Sequence, residues 1–292
     1  MTSHSINSAH FADTARQMTV RIVENVPMAR DTFRVRIECP EIARRILPGQ
    51  FLMLRLAGCD DPLLGRPLAF YDIVHDANGE PSGLDIAYLV VGKMTSRLAK
   101  CLPGQELELW GPLGNGFAPT PTRHLIMVAG GIGQTPFLAL AQEYAGRRKF
   151  GQPPRIVAPP ERITFCYGAR RKEYLAGVAD FEKLGIEVRI STDDGSAGHH
   201  GFVTDLLKQT LADTDVHAAR VVCCGPEKMM EAVAEISAHA GVSCEVSLET
   251  PMACGIGICF SCVTKVREDD GQWDYRRTCV EGPVFNAAKI VW

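Results

Sequence analysis

Four cysteines near the C-terminal end place the tightest constraint on this chain. Cys254-x4-Cys259-x2-Cys262 is followed, sixteen intervening residues later, by Cys279. That is the C-x4-C-x2-C…C arrangement by which thiolates hold a [2Fe–2S] cluster. The chemistry accounts for the residues between them. Each iron takes two thiolates, the sulfide core accepts hydrogen bonds from backbone N–H groups, and a loop wrapped that closely has no room for bulk. Ala253, Gly255, Gly257 and Ser261 meet the demand, and glycine also permits positive φ angles. Two blander readings stand beside this one. A structural zinc ion ordinarily uses paired C-x2-C knuckles, and the thiols could be plain buried side chains. The remaining cysteines (Cys39, Cys59, Cys101, Cys166, Cys223, Cys224 and Cys244) show no such spacing and read as small core or surface residues.

Eleven cysteines in a chain whose N-terminus has no continuous apolar stretch suggest thiols and metal ligands in a reducing compartment, with the cytoplasm as expectation. No apolar run reaches the ~20 residues of a membrane helix. A net charge of −3 with Lys and Arg spread along the chain lacks the concentrated basic face of a nucleic-acid binder. No nucleophile and base stand together as a catalytic constellation, so no catalytic side chain is expected.

The 292 residues allow two domains and a small third. Short β-rich segments at 19–25, 32–38, 50–56, 66–73, 84–91 and 106–111, separated by Pro-Gly and Asn-Gly turns, point to a sandwich or barrel. After about residue 120 strands (124–129, 163–167, 187–191, 220–224) alternate with helical stretches (136–144, 173–184, 203–211, 227–240), the rhythm of a parallel, doubly wound sheet. The basic, proline-rich segment 147–160 reads as a surface loop. The expected fold is multidomain α+β: a flexible tail at 1–18, an antiparallel β-barrel at 19–119, an α/β nucleotide-binding domain at 120–245 and a cysteine module at 246–292.

Several motifs carry binding chemistry. Val128-Ala-Gly-Gly-Ile-Gly-Gln-Thr-Pro136 follows a strand and opens a helix. There Gly130, Gly131 and Gly133 would let the backbone approach a pyrophosphate favoured by the helix N-terminus; the alternative is a simple tight turn. Cys224-Gly225-Pro226 ends a later strand, and ligands of open α/β sheets bind outside such ends, so the two motifs should face one crevice. Asp194, in Ser191-Thr-Asp-Asp-Gly195, offers a carboxylate for ribose hydroxyls and favours NAD over NADP. Arg170 and Arg171 would pull the other way. In the first domain Arg66, heading Arg66-Pro-Leu-Ala-Phe70, is available to a phosphate, although most such arginines are merely solvated. Val91-Gly-Lys-Met-Thr95 offers a glycine, a cation and a hydroxyl. Gly111-Pro-Leu-Gly-Asn-Gly-Phe117 is either an interdomain turn or a place where backbone must clear a flat ring.

The ordered set R-P-L-A, V-G-K-M-T, G-P-L-G-N-G-F, A-G-G-I-G-Q-T-P, T-D-D-G-S, C-G-P and M-A-C-G-I-G-I-C-F-S-C…C-V-E-G-P-V-F resembles the ferredoxin–NADP reductase superfamily. More narrowly, it resembles the electron-transfer subunits of class 1B dihydroorotate dehydrogenases, over residues 19 to 287. The resemblance implies FAD held by Arg66, Pro67, Leu68 and Ala69, with Tyr88, Leu89, Val90, Gly92, Lys93, Met94 and Thr95 along the flavin and its phosphates. It implies NAD(H) on Gly130, Gly131, Gly133, Gln134 and Thr135 and beside Cys224, Gly225 and Pro226. It also implies an FMN-containing catalytic partner in a heterotetramer, with electrons passing from that FMN through the [2Fe–2S] cluster and FAD to NAD+ in pyrimidine biosynthesis. Ala69 departs from the family's usual serine and removes a hydroxyl near the flavin. Two other functions share these motifs in whole or part: an NAD(P)H-dependent reductase serving a hydrogenase or glutamate-synthase-type partner, and a non-catalytic iron–sulfur scaffold.

Overall fold

The computed structural model describes residues 14–292. Residues 1–13 of the expected tail lie outside it, and the rest of that tail differs from expectation, because the first strand already begins at Arg16. Strands β1 (Arg16–Ala29), β2 (Thr32–Glu38), β3 (Phe51–Leu56), β4 (Arg66–Ala69), β5 (Asp72–His75), β6 (Pro81–Leu89) and β7 (Glu106–Leu113) form one antiparallel sheet in the order β4-β3-β7-β1-β2-β6-β5. Its two edge strands, β4 and β5, are separated in the chain only by Phe70 and Tyr71. The sheet must therefore roll until its edges meet, which makes it a barrel. Alternate residues point inward, as the strand period of two requires: Leu52 and Leu54, Leu84, Ile86 and Tyr88, and Leu107 and Leu109 are all fully buried. The single strand expected at 66–73 is thus two strands. The break lets Phe70 enter the core while the Tyr71 N–H donates to the Asp85 carbonyl at 2.8 Å.

The second sheet contains β8 (His124–Gly130), β9 (Arg162–Ala169), β10 (Glu187–Thr192), β11 (His199–His200), β12 (Ala219–Cys224), β13 (Ser243–Ser247) and β16 (Val284–Asn286), ordered β11-β10-β9-β8-β12-β13-β16. All are parallel except β16. Helices cover both faces, so alternate residues of β8 serve different cores. Ile126 and Val128 pack under the helices Val203–Ala212 and Glu227–Ala240, while Leu125, Met127 and Ala129 pack under Phe137–Tyr144 and Val178–Glu182.

Four expectations change. The helix expected at 173–184 is reduced to a 3-10 turn at Lys172–Tyr174 and the short helix Val178–Glu182. Gly177 separates them at φ +71, where a Cβ would stand 2.2 Å from the Tyr71 hydroxyl. The segment 147–160 is not a loose surface loop. Phe150 is fully buried in the barrel core beside Phe70, and Arg155 pairs with Glu143 at 2.6 Å. Strand β13 was not anticipated, and the boundary expected between 245 and 246 falls inside it. Beyond the cysteine loop, β14 (Val263–Arg267) and β15 (Trp273–Arg277) form a hairpin, and β16 then pairs with β13. The cysteine module is thereby stitched into the second sheet. Among the described residues no helix is long and apolar enough to cross a membrane.

Two outcomes follow from this packing. Phe150→Ala should destabilise the fold by about 3 kcal/mol in denaturant unfolding, because it removes an aromatic plug from a closed core. His124 is buried between the hydroxyls of Thr164 (2.8 Å) and Thr214 (3.1 Å). Burial first, and Arg162 next, hold its imidazole down to about 4. The folded chain keeps this histidine neutral while the unfolded chain protonates near 6.5. Its contribution to stability is therefore full above about pH 6.5 and shrinks as the pH falls towards 4, by roughly 1.4 kcal/mol per unit. Comparing His124→Asn with the parent chain across that range measures the difference.

Candidate functional site

The cysteine loop is irregular, and it holds its shape by resting on the barrel. Gly255 (φ +72) lies so close to β3 that a Cβ would stand 2.5 Å from Met53 Cγ. The Trp110 indole N–H of β7 donates to the Cys254 carbonyl at 2.8 Å. Arg277 donates to the Gly257 carbonyl at 3.1 Å and sets its guanidinium 5.5 Å from the centre of the Phe260 ring. The Thr278 N–H donates to the Cys262 carbonyl at 2.9 Å, which brings the distant fourth cysteine to the loop.

The four thiols associate two by two, Cys254 with Cys259 and Cys262 with Cys279. The Ser261 hydroxyl first, and then backbone and Cys254, lower the Cys259 thiol to about 6; its contact with Cys279 lowers Cys262 to about 6. Two pairs are what two irons require, each taking two thiolates. A zinc site would draw its ligands to a single point. Among the described residues no three histidine, cysteine or acidic side chains converge in that way. The donor set fits a [2Fe–2S] cluster, and the pairs differ in setting. Cys262 and Cys279 are buried against Phe51, Met53, Leu113, Met252 and Val280, whereas Cys259 is exposed.

On the other side of that apolar layer lies a cavity of about 450 Å³ between barrel and second sheet. Of the motif residues expected here, Arg66, Pro67, Leu68, Ala69, Tyr88, Leu89, Gly92, Met94, Thr95, Thr135 and Cys224 line it. Others do not. The Val90 N–H donates to the Asp31 carbonyl at 2.8 Å, and Lys93 pairs with Asp61. Although Thr95 lines the cavity, its hydroxyl bonds the backbone of Val91 and Gly92 and caps the helix Lys93–Leu98. Arg66 donates only to the carbonyls of Leu64 and Gly65, and no carboxylate pairs with it among the described residues.

Because β8, β9, β10 and β12 run parallel, their C-terminal ends share one edge, which carries Gly130, Asp194 and Cys224. The glycine turn packs directly on the C-G-P turn. A Cβ at Gly133 would meet the Cys224 carbonyl at 2.3 Å, and one at Gly130 the Met229 sulfur at 2.6 Å. These two glycines serve turn-on-turn contact, and only Gly131 (φ +56) opens onto free space. The Gln134 amide is wholly buried and does not line the cavity. Asp194 bonds the Ser196 hydroxyl at 2.6 Å and faces Arg171 at 3.8 Å, so each offsets part of the other's charge. Gly225 and Pro226 line a second cleft of about 420 Å³ facing the hairpin β14–β15.

Two features escaped the sequence reading. The segment 247–252, joining β13 to the first cysteine, forms the wall between the two cavities, and Glu249 opens onto both with its carboxyl raised by desolvation. Only its position just before Cys254 could have signalled this. The second feature is the work done by Gly111–Phe117. Asn115 bonds the carbonyls of Gly282, Glu281 and Val284 and the Val284 N–H. A Cβ at Gly114 would meet Pro283 at 2.5 Å. Gly114 clears the cysteine module's backbone, while Gly111 and Gly116 clear Leu52 and the Pro48 carbonyl of the barrel.

Comparison with known proteins agrees with this arrangement. Residues 249–291 match the model of the iron–sulfur cluster binding domain of dihydroorotate dehydrogenase B, and residues 127–235 match the oxidoreductase NAD-binding domain. Among curated relatives, the dihydroorotate dehydrogenase B (NAD(+)) electron transfer subunit of Desulforamulus reducens is 38% identical, covering 91% of this chain and 94% of its own. The counterpart from Caldanaerobacter subterraneus is 34% identical over 94% and 99%. A solved chain of an NADH-dependent reduced ferredoxin–NADP oxidoreductase aligns with a TM-score of 0.76 at 27% identity, covering 94% of this chain and 90% of that one. A ferredoxin–NADP+ reductase from Neisseria gonorrhoeae shares the fold at a TM-score of 0.60 and 18% identity, over 77% of this chain and 92% of its own.

Gly255→Ala tests the seat of the loop. It combines an αL penalty of about 1–2 kcal/mol with a clash against Met53. Iron and acid-labile sulfide per purified chain should both fall below the parent's, while the barrel's unfolding midpoint changes little.

Proposed function

The chain belongs to the family of dihydroorotate dehydrogenase B electron-transfer subunits, and we propose that the paired thiols, the cavity and the sheet edge are its cluster, flavin and NAD sites in sequence. The protein is an oxidoreductase subunit that takes electrons from the FMN of a dihydroorotate dehydrogenase catalytic subunit. It passes them through a [2Fe–2S] cluster and FAD to NAD+ in pyrimidine biosynthesis. Bound FAD supplies the exchange between one-electron and hydride chemistry that neither the cluster nor NAD provides alone. The chain's own residues bind, orient and keep water out.

One observation supports this reading above the rest. Phe51 and Met252 line the cavity and also belong to the apolar layer that buries Cys262 and Cys279. The two proposed redox sites therefore share Phe51 and Met252 as a common apolar boundary. Leu68, Ala69, Ala87, Leu89, Met94 and Met252 give the cavity the surface a flat aromatic ring system needs. Arg66, with no carboxylate partner among the described residues, is free for a phosphate. At the sheet edge, Gly131 leaves room for a pyrophosphate beside Thr135, and Asp194 on the same edge offers a carboxylate for ribose hydroxyls.

The outward side of the cluster loop faces the catalytic partner. Ile256, Ile258 and Phe260 are exposed at 40%, 74% and 63% around the open Cys259, an apolar patch suited to burial against another subunit. The cytoplasm is the compartment this reading assigns, because all eleven cysteines are unpaired and a reducing environment keeps them so.

Co-expression with an FMN-containing dihydroorotate dehydrogenase catalytic subunit tests the assignment. The purified complex should show flavin and cluster absorbance and reduce NAD+ with dihydroorotate. A complex that holds both cofactors but never oxidises dihydroorotate would instead favour a reductase for another partner. Arg66→Ala should weaken FAD retention by about tenfold or more, the loss of one charge-assisted contact, as measured by flavin released on gel filtration.

A further inference from the structure

Ser261 sits between two of the four cysteines, and its hydroxyl faces three polar neighbours. Oγ lies 3.2 Å from Cys259 Sγ, accepts the Ala253 N–H at 3.2 Å and lies 3.4 Å from the Pro251 carbonyl. A hydroxyl has one proton to give. A cluster-bound Cys259 is a thiolate and can only accept, as can the carbonyl. Two acceptors therefore compete for one proton, while the Ala253 N–H holds the oxygen in place. Among the described residues no side chain other than those of the cysteines themselves donates to these four sulfurs; the Cys254 sulfur takes its bond from the backbone N–H of Ile256 at 3.4 Å.

We propose that Ser261 is a redox-tuning residue, whose hydroxyl donates to the Cys259 sulfur and raises the potential of the cluster. The proposal rests on the four cysteines being the cluster ligands. Its physical basis is the charge change. One-electron reduction adds negative charge that the thiolates share, and a hydrogen bond strengthens as its acceptor becomes more negative. The bond thus stabilises the reduced state more than the oxidised state, the direction in which hydrogen bonds to sulfur move such centres. The competing acceptor gives the contact reach. Pro251 and its neighbour Met252 line the larger cavity, so a proton drawn to Cys259 on reduction is withdrawn from a carbonyl in the flavin wall. Ser261 and Cys259 are exposed in the free chain, where water competes for the sulfur. Burying the patch around them against a partner removes that competition and enlarges the effect.

The test uses the holoprotein, free and in complex with its catalytic subunit, as parent, Ser261→Ala and Ser261→Thr. Iron and sulfide content establishes equal loading, and an anaerobic dithionite titration followed by electron paramagnetic resonance reads the cluster potential. At the parent's midpoint, Ser261→Ala should lower the ratio of reduced to oxidised cluster by about three- to tenfold, the loss of one hydrogen bond to a charged acceptor. Ser261→Thr, which keeps the hydroxyl, should restore it. An unchanged midpoint in fully loaded Ser261→Ala overturns the proposal, as does a threonine variant that behaves like alanine. A parent chain with no reduced-cluster signal would overturn the ligand assignment itself, and that outcome is distinguishable from the other two.

Discussion

Everything in this molecule depends on the clasp between Asn115 and the segment that follows the fourth cysteine. Asn115 lies just past the last barrel strand, and its partners Glu281, Gly282 and Val284 lead directly into the strand that joins the second sheet. One side chain thus ties barrel, cysteine module and nucleotide layer at a point. The contact is polar, it joins segments far apart in sequence, and it uses both the nitrogen and the oxygen of the Asn115 amide. That makes it a strong determinant of relative position even though each bond contributes little net stability. The neighbouring glycines are needed because backbone meets backbone there.

With that joint set, the redox sites come together without further devices. Gly255 rests on Met53, Trp110 holds the Cys254 carbonyl, and the layer of Phe51, Met53, Leu113 and Met252 fills the space between thiols and cavity. Apolar packing matters twice. It gives the cavity an apolar floor, and it seats the cysteine loop against that cavity without any covalent link. Cys262 and Cys279 belong to this layer, while Cys259 is exposed among the exposed side chains of Ile256, Ile258 and Phe260. The cysteine site therefore has a buried side and an exposed side, which suits the electron path proposed above.

Much of this was legible in the residues themselves. The cysteine spacing, the barrel-to-parallel-sheet change of rhythm and the two turns at the sheet edge are local patterns, and local patterns survive without knowledge of the fold. Where the structure adds to the residue-level reading, the cause is common. Lys93, Val90 and the Thr95 hydroxyl sit in a motif that borders the cavity, but each is claimed by a partner distant in sequence or by its own helix. Gly130 and Gly133 were read as ligand glycines or a tight turn, and the structure adds that they seat one turn on another. Phe150 looked like part of a basic surface loop because nothing in its neighbours reveals the barrel core it enters.

The sequence by itself determined the spacing of the four cysteines, the order of the three units and the sheet edge that carries the glycine and C-G-P turns, because these rest on local pattern and on the handedness of parallel α/β connections. Tertiary structure alone decided which motif residues face the cavity and which serve the backbone. It also decided that 247–252 walls the larger of the two cavities and that Gly111–Phe117 is a joint. The physical reason is that side-chain hydrogen bonds and close backbone contacts are settled between segments more than a hundred residues apart, as with Trp110 and Cys254 or Asn115 and Val284. No local pattern in the chain encodes those meetings.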